Sequence, residues 1–124
     1  MVECENNLKK LIKYFKKRKE SIKVIFEIGA RDCKETLAFN YYYPNAKIYT
    51  YECNPNTLPI CRKNIYGKNK IKLTEKAISN EKGEITFYPI NQQKTKTTWS
   101  DGNPGASSLF KAKNKNYIEH YVQD

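Results

Sequence analysis

The stretch that decides the fold is VIFEIGARDC, residues 24–33. Val24, Ile25 and Phe26 are consecutive apolar residues, as in a strand covered on both faces of a parallel sheet. The run meets an acid, Glu27, and then Gly29. Such a strand end can feed the tight turn of a nucleotide-binding crevice. Turns that hold a dinucleotide need a second glycine so that the backbone can approach the pyrophosphate. Here Arg31 occupies that position, and Cys33 follows where another glycine could stand. Either this is a ligand turn that lacks glycines, or it is an ordinary strand end.

Working outward, the flanking segments alternate between helix and strand patterns. Leu8, Leu11, Ile12 and Phe15 fall at i, i+3, i+4 and i+7, one apolar stripe on a helix of about three turns. Its other face is nearly all Lys and Arg, which suits a solvated outer surface better than a membrane or RNA contact. After the turn, Asp32 can cap a helix that ends at Pro44. Residues 46–53 read as a second strand. Asn56 or Thr57 can cap the next helix, with Pro59 in its first turn and Gly67 as its stop. Residues 70–78 read as a third strand, 80–83 as a turn, and the alternation over 84–90 as a fourth strand.

This order predicts an α/β fold: a Rossmann-like, largely parallel sheet with flanking helices, a β-hairpin insertion and an incomplete sheet. Residues 1–21 are expected to form a basic amphipathic helix ahead of a domain over 22–124. Residues 91–108 read as a long polar loop, and a further helix is expected from residue 111.

The chain has 124 residues, 39% of them hydrophobic and 13% aromatic, enough for one domain with a modest core. The net charge of +10 can attract nucleic acid or acidic ligands, but the lysines are spread along the chain rather than gathered in one block. Nucleic acid is therefore a partner that the sequence permits without favouring. No segment has the apolar length of a membrane span, and residues 1–23 carry eight Lys/Arg and do not read as a signal peptide, so a cytoplasmic location is expected. The cysteines, Cys4, Cys33, Cys53 and Cys61, form no Cys-x-x-Cys pair, and His120 is the one histidine. No metal site is expected, and free thiols are.

Ligands of open parallel sheets bind beyond the carboxyl ends of the strands. Glu52 would lie there, 23 residues after Gly29, the offset at which a carboxylate can accept both hydroxyls of a ribose. A surface acid at a strand end is the competing reading. A nucleoside ligand without phosphate removes the need for the second glycine, and S-adenosylmethionine is such a ligand. Glu27 beside the turn suits a cationic ligand, near its methionine ammonium, and would repel a pyrophosphate. A nicotinamide-dinucleotide oxidoreductase is accordingly the least favoured of three function classes. A basic module that binds RNA or a protein partner is the second.

FEIGARDCKETLAF, YTYECNPNTLPICRKNI, EKAISNEKGEITFYPI and GASSLF follow the order and spacing of FkbM-family methyltransferases, which the chain resembles over about residues 22–112. The resemblance implies an S-adenosylmethionine-dependent enzyme of class I, with O-methyl transfer to a small molecule or sugar. It implies that Glu27, Gly29 and Ala30 hold the methionine part, with Asp32 contributing. Glu52 would hold the ribose, with Cys53 and Asn54 beside the adenosine. Lys76, Ala77 and Ile78 would line the adenine side. The strand at 84–88 and Ser107–Ser108 would lie toward the acceptor.

Two residues depart from the family pattern. Cys33 stands where relatives have glycine, and Arg31 replaces a small or polar residue. The resemblance covers the N-terminal half of such domains, which predicts an open sheet edge, exposed apolar surface and pairing with another copy or a complementing chain. No catalytic base is assigned. His120 reads as surface decoration, and Trp99 as either a stacking platform for an acceptor or a loop anchor.

Overall fold

The structure, a computed structural model, describes residues 2–17, 21–91, 93–95, 107 and 109. Helix α1 (Val2–Lys17) precedes β1 (Val24–Ile28), α2 (Lys34–Tyr42), β2 (Lys47–Tyr51), α3 (Leu58–Ile65) and β3 (Ile71–Thr74). The strands form one parallel sheet in the order β1-β2-β3, with Val24 opposite Lys47 and Ile48 opposite Ile71. This is the expected α/β, Rossmann-like architecture with an open sheet. No described helix is long and apolar enough to cross a membrane. Trp99, Ser108, His120, most of the 91–108 loop and the helix expected from residue 111 lie outside the described residues.

Side chains alternate across a sheet, so the register sorts them into two faces. One carries Ile25 and Glu27, Ile48 and Thr50, and Ile71 and Leu73. Helices α2 and α3 lie over it: Thr36 of α2 bonds Glu27, and Cys61 of α3 packs with Ala30, Cys33 and Leu73. Ile48 and Thr50 at its centre are fully buried. Helix α1 packs beside α2, seats Ile12 in the interior and places Lys16 over the Tyr42 ring.

The opposite face carries Val24, Phe26 and Ile28 on β1, Lys47, Tyr49 and Tyr51 on β2, and Lys72 and Thr74 on β3. The expectation of a sheet covered on both faces is corrected here. Among the described residues this face has no covering layer, and Phe26 and Ile28 are 67% and 66% exposed. The consecutive apolar residues of β1 have the pattern of two-sided burial, but the described helices supply one side.

Three further expectations change. Strand β2 stops at Tyr51: the Glu52 amide still bonds the Thr74 carbonyl, but the amides of Cys53 and Asn54 turn inward to the Glu52 carboxylate. Strand β3 stops at Thr74, where Lys76 N–H closes back onto the Thr74 carbonyl. The fourth strand does not form: residues 84–87 join no ladder, and only Tyr88 and Ile90 make isolated bridges. Pro89 between those bridges has no N–H to give a ladder.

The helix punctuation agrees better. Thr57 is the N-cap of α3, with Pro59 in its first turn, and Gly67 adopts φ +76° just beyond its end. Asp32 accepts the Lys34 N–H at 3.1 Å, although the N-cap residue of α2 is Cys33.

Candidate functional site

The turn after β1 keeps a glycine-like path without the glycines. Gly29, Arg31 and Cys33 all have positive φ, at 80°, 56° and 62°. For a residue with a side chain, the left-handed region costs roughly 1–2 kcal/mol. Contacts around the turn hold it there. Gly29 and Ala30 both donate their amides to the Tyr51 carbonyl, at 2.9 and 3.1 Å. The Cys33 amide closes on the Ala30 carbonyl at 2.8 Å, and Asn64 of α3 donates to the Asp32 carbonyl at 2.7 Å.

Glu52 anchors the turn from below. Its Oε2 accepts the Arg31 amide at 2.5 Å, and its Oε1 accepts the amides of Cys53 and Asn54 at 2.8 and 2.9 Å. The residue is 9% exposed. A carboxylate offers about four acceptor positions, so these three bonds leave about one. A grip on both hydroxyls of a ribose therefore requires one amide to give way.

Glu27 lies on the helix-covered face. The hydroxyls of Thr36 and Thr50 both donate to its Oε2, at 2.5 and 3.1 Å. Burial pushes its carboxyl above the ordinary value of 4.5, and the two hydroxyl bonds only partly oppose this. Such a group gains from a cationic neighbour, because a nearby positive charge favours the ionised form.

Beyond the ends of β2 and β3 lies a concavity of about 850 Å³, within the range of small-molecule sites. Cys53, Lys76, Ala77, Ile78, Phe87 and Leu109 contribute to its wall. The structure thus brings Cys53 together with Lys76, Ala77 and Ile78 around one concavity. Cys53 is a free thiol. Burial raises its pKa, and the adjacent Glu52 charge raises it further, so it stays neutral.

The other expected site residues are placed differently. Gly29 lies in the turn, and Glu52, just after β2, holds it through the Arg31 amide. Ala30 is buried in the packing between turn and α3, and the Asp32 carboxylate is occupied at the start of α2. Asn54 is buried: its Nδ2 donates to Ser107 Oγ at 3.2 Å, and its Oδ1 accepts the Asn56 amide at 3.0 Å. Ser107 Oγ also accepts the Ile90 amide at 2.9 Å, so that Ser107 links Ile90 to Asn54 in the loop after β2.

Sequence reasoning missed Thr36, Thr50, Asn64 and the Tyr51 carbonyl. Thr50 is directly opposite Glu27 in the register, a signal that becomes visible once the strands are aligned. The expectation of free thiols holds for Cys53 and is corrected for Cys33 and Cys61. Cys33 and Cys61 are in disulfide contact, with Cα atoms 4.8 Å apart and both side chains fully buried. Their separation of 28 residues conceals that α3 packs directly on the turn.

No protein-family model matches the chain. The 2-O-methyltransferase NoeI of Sinorhizobium fredii (strain NBRC 101917 / NGR234) is 32% identical to it over 76 residues. The match covers 61% of this chain and 31% of that protein, so it spans under a third of the relative. This similarity supports a methyltransferase relationship.

Proposed function

We propose that the chain is the nucleoside-binding part of an S-adenosylmethionine-dependent methyltransferase of the FkbM type, acting on an oxygen of a small molecule such as a sugar. One observation carries the reading. The backbone at Gly29, Arg31 and Cys33 follows a left-handed path above the clamped Glu52 carboxylate, next to the concavity beyond Cys53. A positive-φ turn held at this cost by so many contacts is the kind of local strain that accompanies binding sites. The similarity to a 2-O-methyltransferase supports the reaction class.

The residues suit a donor without phosphates. Cys53, Ala77 and Ile78 offer an adenine a weakly polar wall. Glu52 retains acceptor capacity for a ribose hydroxyl. Glu27 would face the ammonium group of the methionine part, directly or through water. When bound, the donor supplies an electrophilic methyl group on sulfonium. The role of this chain is to bind and orient that donor, since in-line displacement depends chiefly on alignment and exclusion of water.

The test is calorimetric titration with S-adenosylhomocysteine, with NAD as the comparison ligand. Binding that weakens at least tenfold in Ile78→Arg, with NAD inert, supports the reading. No heat from a chain shown to be folded by circular dichroism would remove it.

A second reading rests on the uncovered sheet face. Phe26 stacks on Tyr49 with ring centroids 5.2 Å apart, and Lys47, Lys70 and Lys72 line the adjoining depression. Single-stranded RNA could stack bases on such rings and set phosphates against such lysines. This reading requires polyuridine binding that falls steeply with salt and is unchanged by Ile78→Arg.

A further inference from the structure

We propose that Cys33 and Cys61 form a thiol–disulfide exchange site that sets the rigidity of the turn and, through it, the affinity of the nucleoside site. The affinity arm rests on the reading above; the rigidity arm does not.

The pair occupies a telling place. Cys33 closes the positive-φ turn, two residues after the Arg31 amide that bonds Glu52. Cys61 belongs to α3, the helix that starts from the other side of Glu52. The amides of Thr57 and Leu58 bond the Asn54 carbonyl, and the Cys61 amide bonds the Thr57 carbonyl. A bond between the sulfurs therefore ties the Arg31 side of the Glu52 clamp to the Cys53–Asn54 side. The Cα separation of 4.8 Å lies within the span that a disulfide requires.

The surroundings make the tie graded. Asn64, on the same helix, holds the Asp32 carbonyl at 2.7 Å, so a reduced chain keeps one hydrogen-bonded link between α3 and the turn. Both sulfurs are fully buried with Ala30, Ile65 and Leu73 around them. Exchange therefore proceeds through local opening of the turn, and a bond once closed is shielded from reductant. In a reducing compartment the pair stays as thiols. A shift to oxidising surroundings closes it.

The chemistry balances with a low-molecular-weight disulfide such as oxidised glutathione as oxidant. One cysteine thiolate attacks it, forms a mixed disulfide and expels one glutathione thiolate. The second cysteine thiolate attacks the protein sulfur of that mixed disulfide and expels the second. The two cysteine sulfurs lose two electrons, the oxidant gains them, and the two thiol protons leave with two molecules of glutathione.

The experiment compares the whole chain after equilibration with oxidised glutathione and after reduction with a phosphine. The oxidised form should lose two hydrogens in mass and yield a peptide that joins Cys33 to Cys61. Its melting temperature should rise by roughly 5–10 °C. Amide exchange at Arg31, Cys53 and Asn54 should slow about tenfold. S-adenosylhomocysteine should bind about tenfold more tightly, as expected when a site is pre-organised. Cys61→Ser should match the reduced chain and ignore the oxidant.

A folded chain that never forms the joined peptide would overturn the proposal. So would a joined peptide with unchanged amide exchange at the clamp. Slower exchange without ligand binding in either state would overturn the methyltransferase reading and the affinity arm together, while supporting the rigidity arm.

Discussion

The amide of Arg31 and the carboxylate of Glu52 meet at 2.5 Å, joining the turn after β1 to the loop after β2. The same carboxylate holds the amides of Cys53 and Asn54. One side chain thus ends strand β2, fixes the next loop and supports a left-handed residue. The position expected to bind ribose is also a structural clamp.

Substitution at Glu52 should therefore affect stability before any ligand is added. Hydrogen bonds to a charged acceptor each contribute about 1.5–3 kcal/mol. Glu52→Gln turns an NH2 group toward at least one amide donor and should cost about 2 kcal/mol. Glu52→Ala leaves three amides without their acceptor and should cost more. Urea unfolding of both variants tests the order; equal stability of Glu52→Ala and the parent chain would refute the clamp.

The turn predicts substitutions of opposite sign. A Cβ added at Gly29 would meet nothing within 4 Å, but the φ there is +80°. Gly29→Ala should cost about 1–2 kcal/mol through backbone strain alone. Arg31→Gly removes strain of the same kind, partly offset by the greater freedom of glycine in the unfolded chain, and should be neutral or stabilising by up to about 1 kcal/mol. Thermal unfolding reads both, and a loss above about 2 kcal/mol in Arg31→Gly would mean that its side-chain contacts outweigh the strain.

Glu27 predicts a pH dependence with a definite sign. Burial raises its folded-state pKa above 4.5, so between that value and the raised one the folded chain binds more protons than the unfolded chain. The stability contribution of protonated Glu27 is fully present below pH 4.5 and is lost as pH rises through the raised value. Relative to the parent, Glu27→Gln should gain stability as pH rises from 4.5 to 8 and show no gain at pH 4. A flat difference between the two chains across this range would show that Glu27 titrates normally.

The order of the elements was legible because apolar runs, Pro44, Pro59 and Gly67 act locally, whereas the register, which pairs Glu27 with Thr50, depends on how the strands align in space. The acid at each strand end was legible too, as Glu27 and Glu52. Their partners were not. Thr36 and Thr50 are hydroxyls that any surface could carry, and only the crossing of α2 over the β1–β2 pair brings both onto one oxygen. The Cys33–Cys61 contact was hidden for a similar reason, since it depends on how α3 packs. The failed strand at 84–90 shows the limit of alternation, which sets side-chain direction but supplies no neighbouring ladder.

Cys53 gives a site-specific probe. Burial and the Glu52 charge keep its thiol neutral, and the thiolate is the reactive form. Iodoacetamide should modify Cys53 more slowly at pH 8 than it modifies a small-molecule thiol. Because Cys53 borders the concavity, S-adenosylhomocysteine should slow the reaction further. Peptide mapping separates Cys53 from the other cysteines. Unchanged labelling under saturating ligand would place the nucleoside elsewhere.

The uncovered sheet face predicts association. Val24, Phe26 and Ile28 form an exposed apolar column on β1, and that strand pairs only with β2 among the described residues. Contiguous apolar surface of this kind favours contact with other chains. The nearby Lys47 and Lys72 would repel their counterparts in a face-to-face pair, so self-association should strengthen as salt screens them. Phe26→Gln removes the ring of the column, which is 67% exposed. It should change folding stability by less than about 1 kcal/mol, because little burial and one aromatic stack are lost. The same substitution should reduce both dye binding to apolar surface and the salt-promoted oligomer seen by sedimentation. If parent and variant sediment alike as monomers at every salt concentration, the column is not a self-association surface.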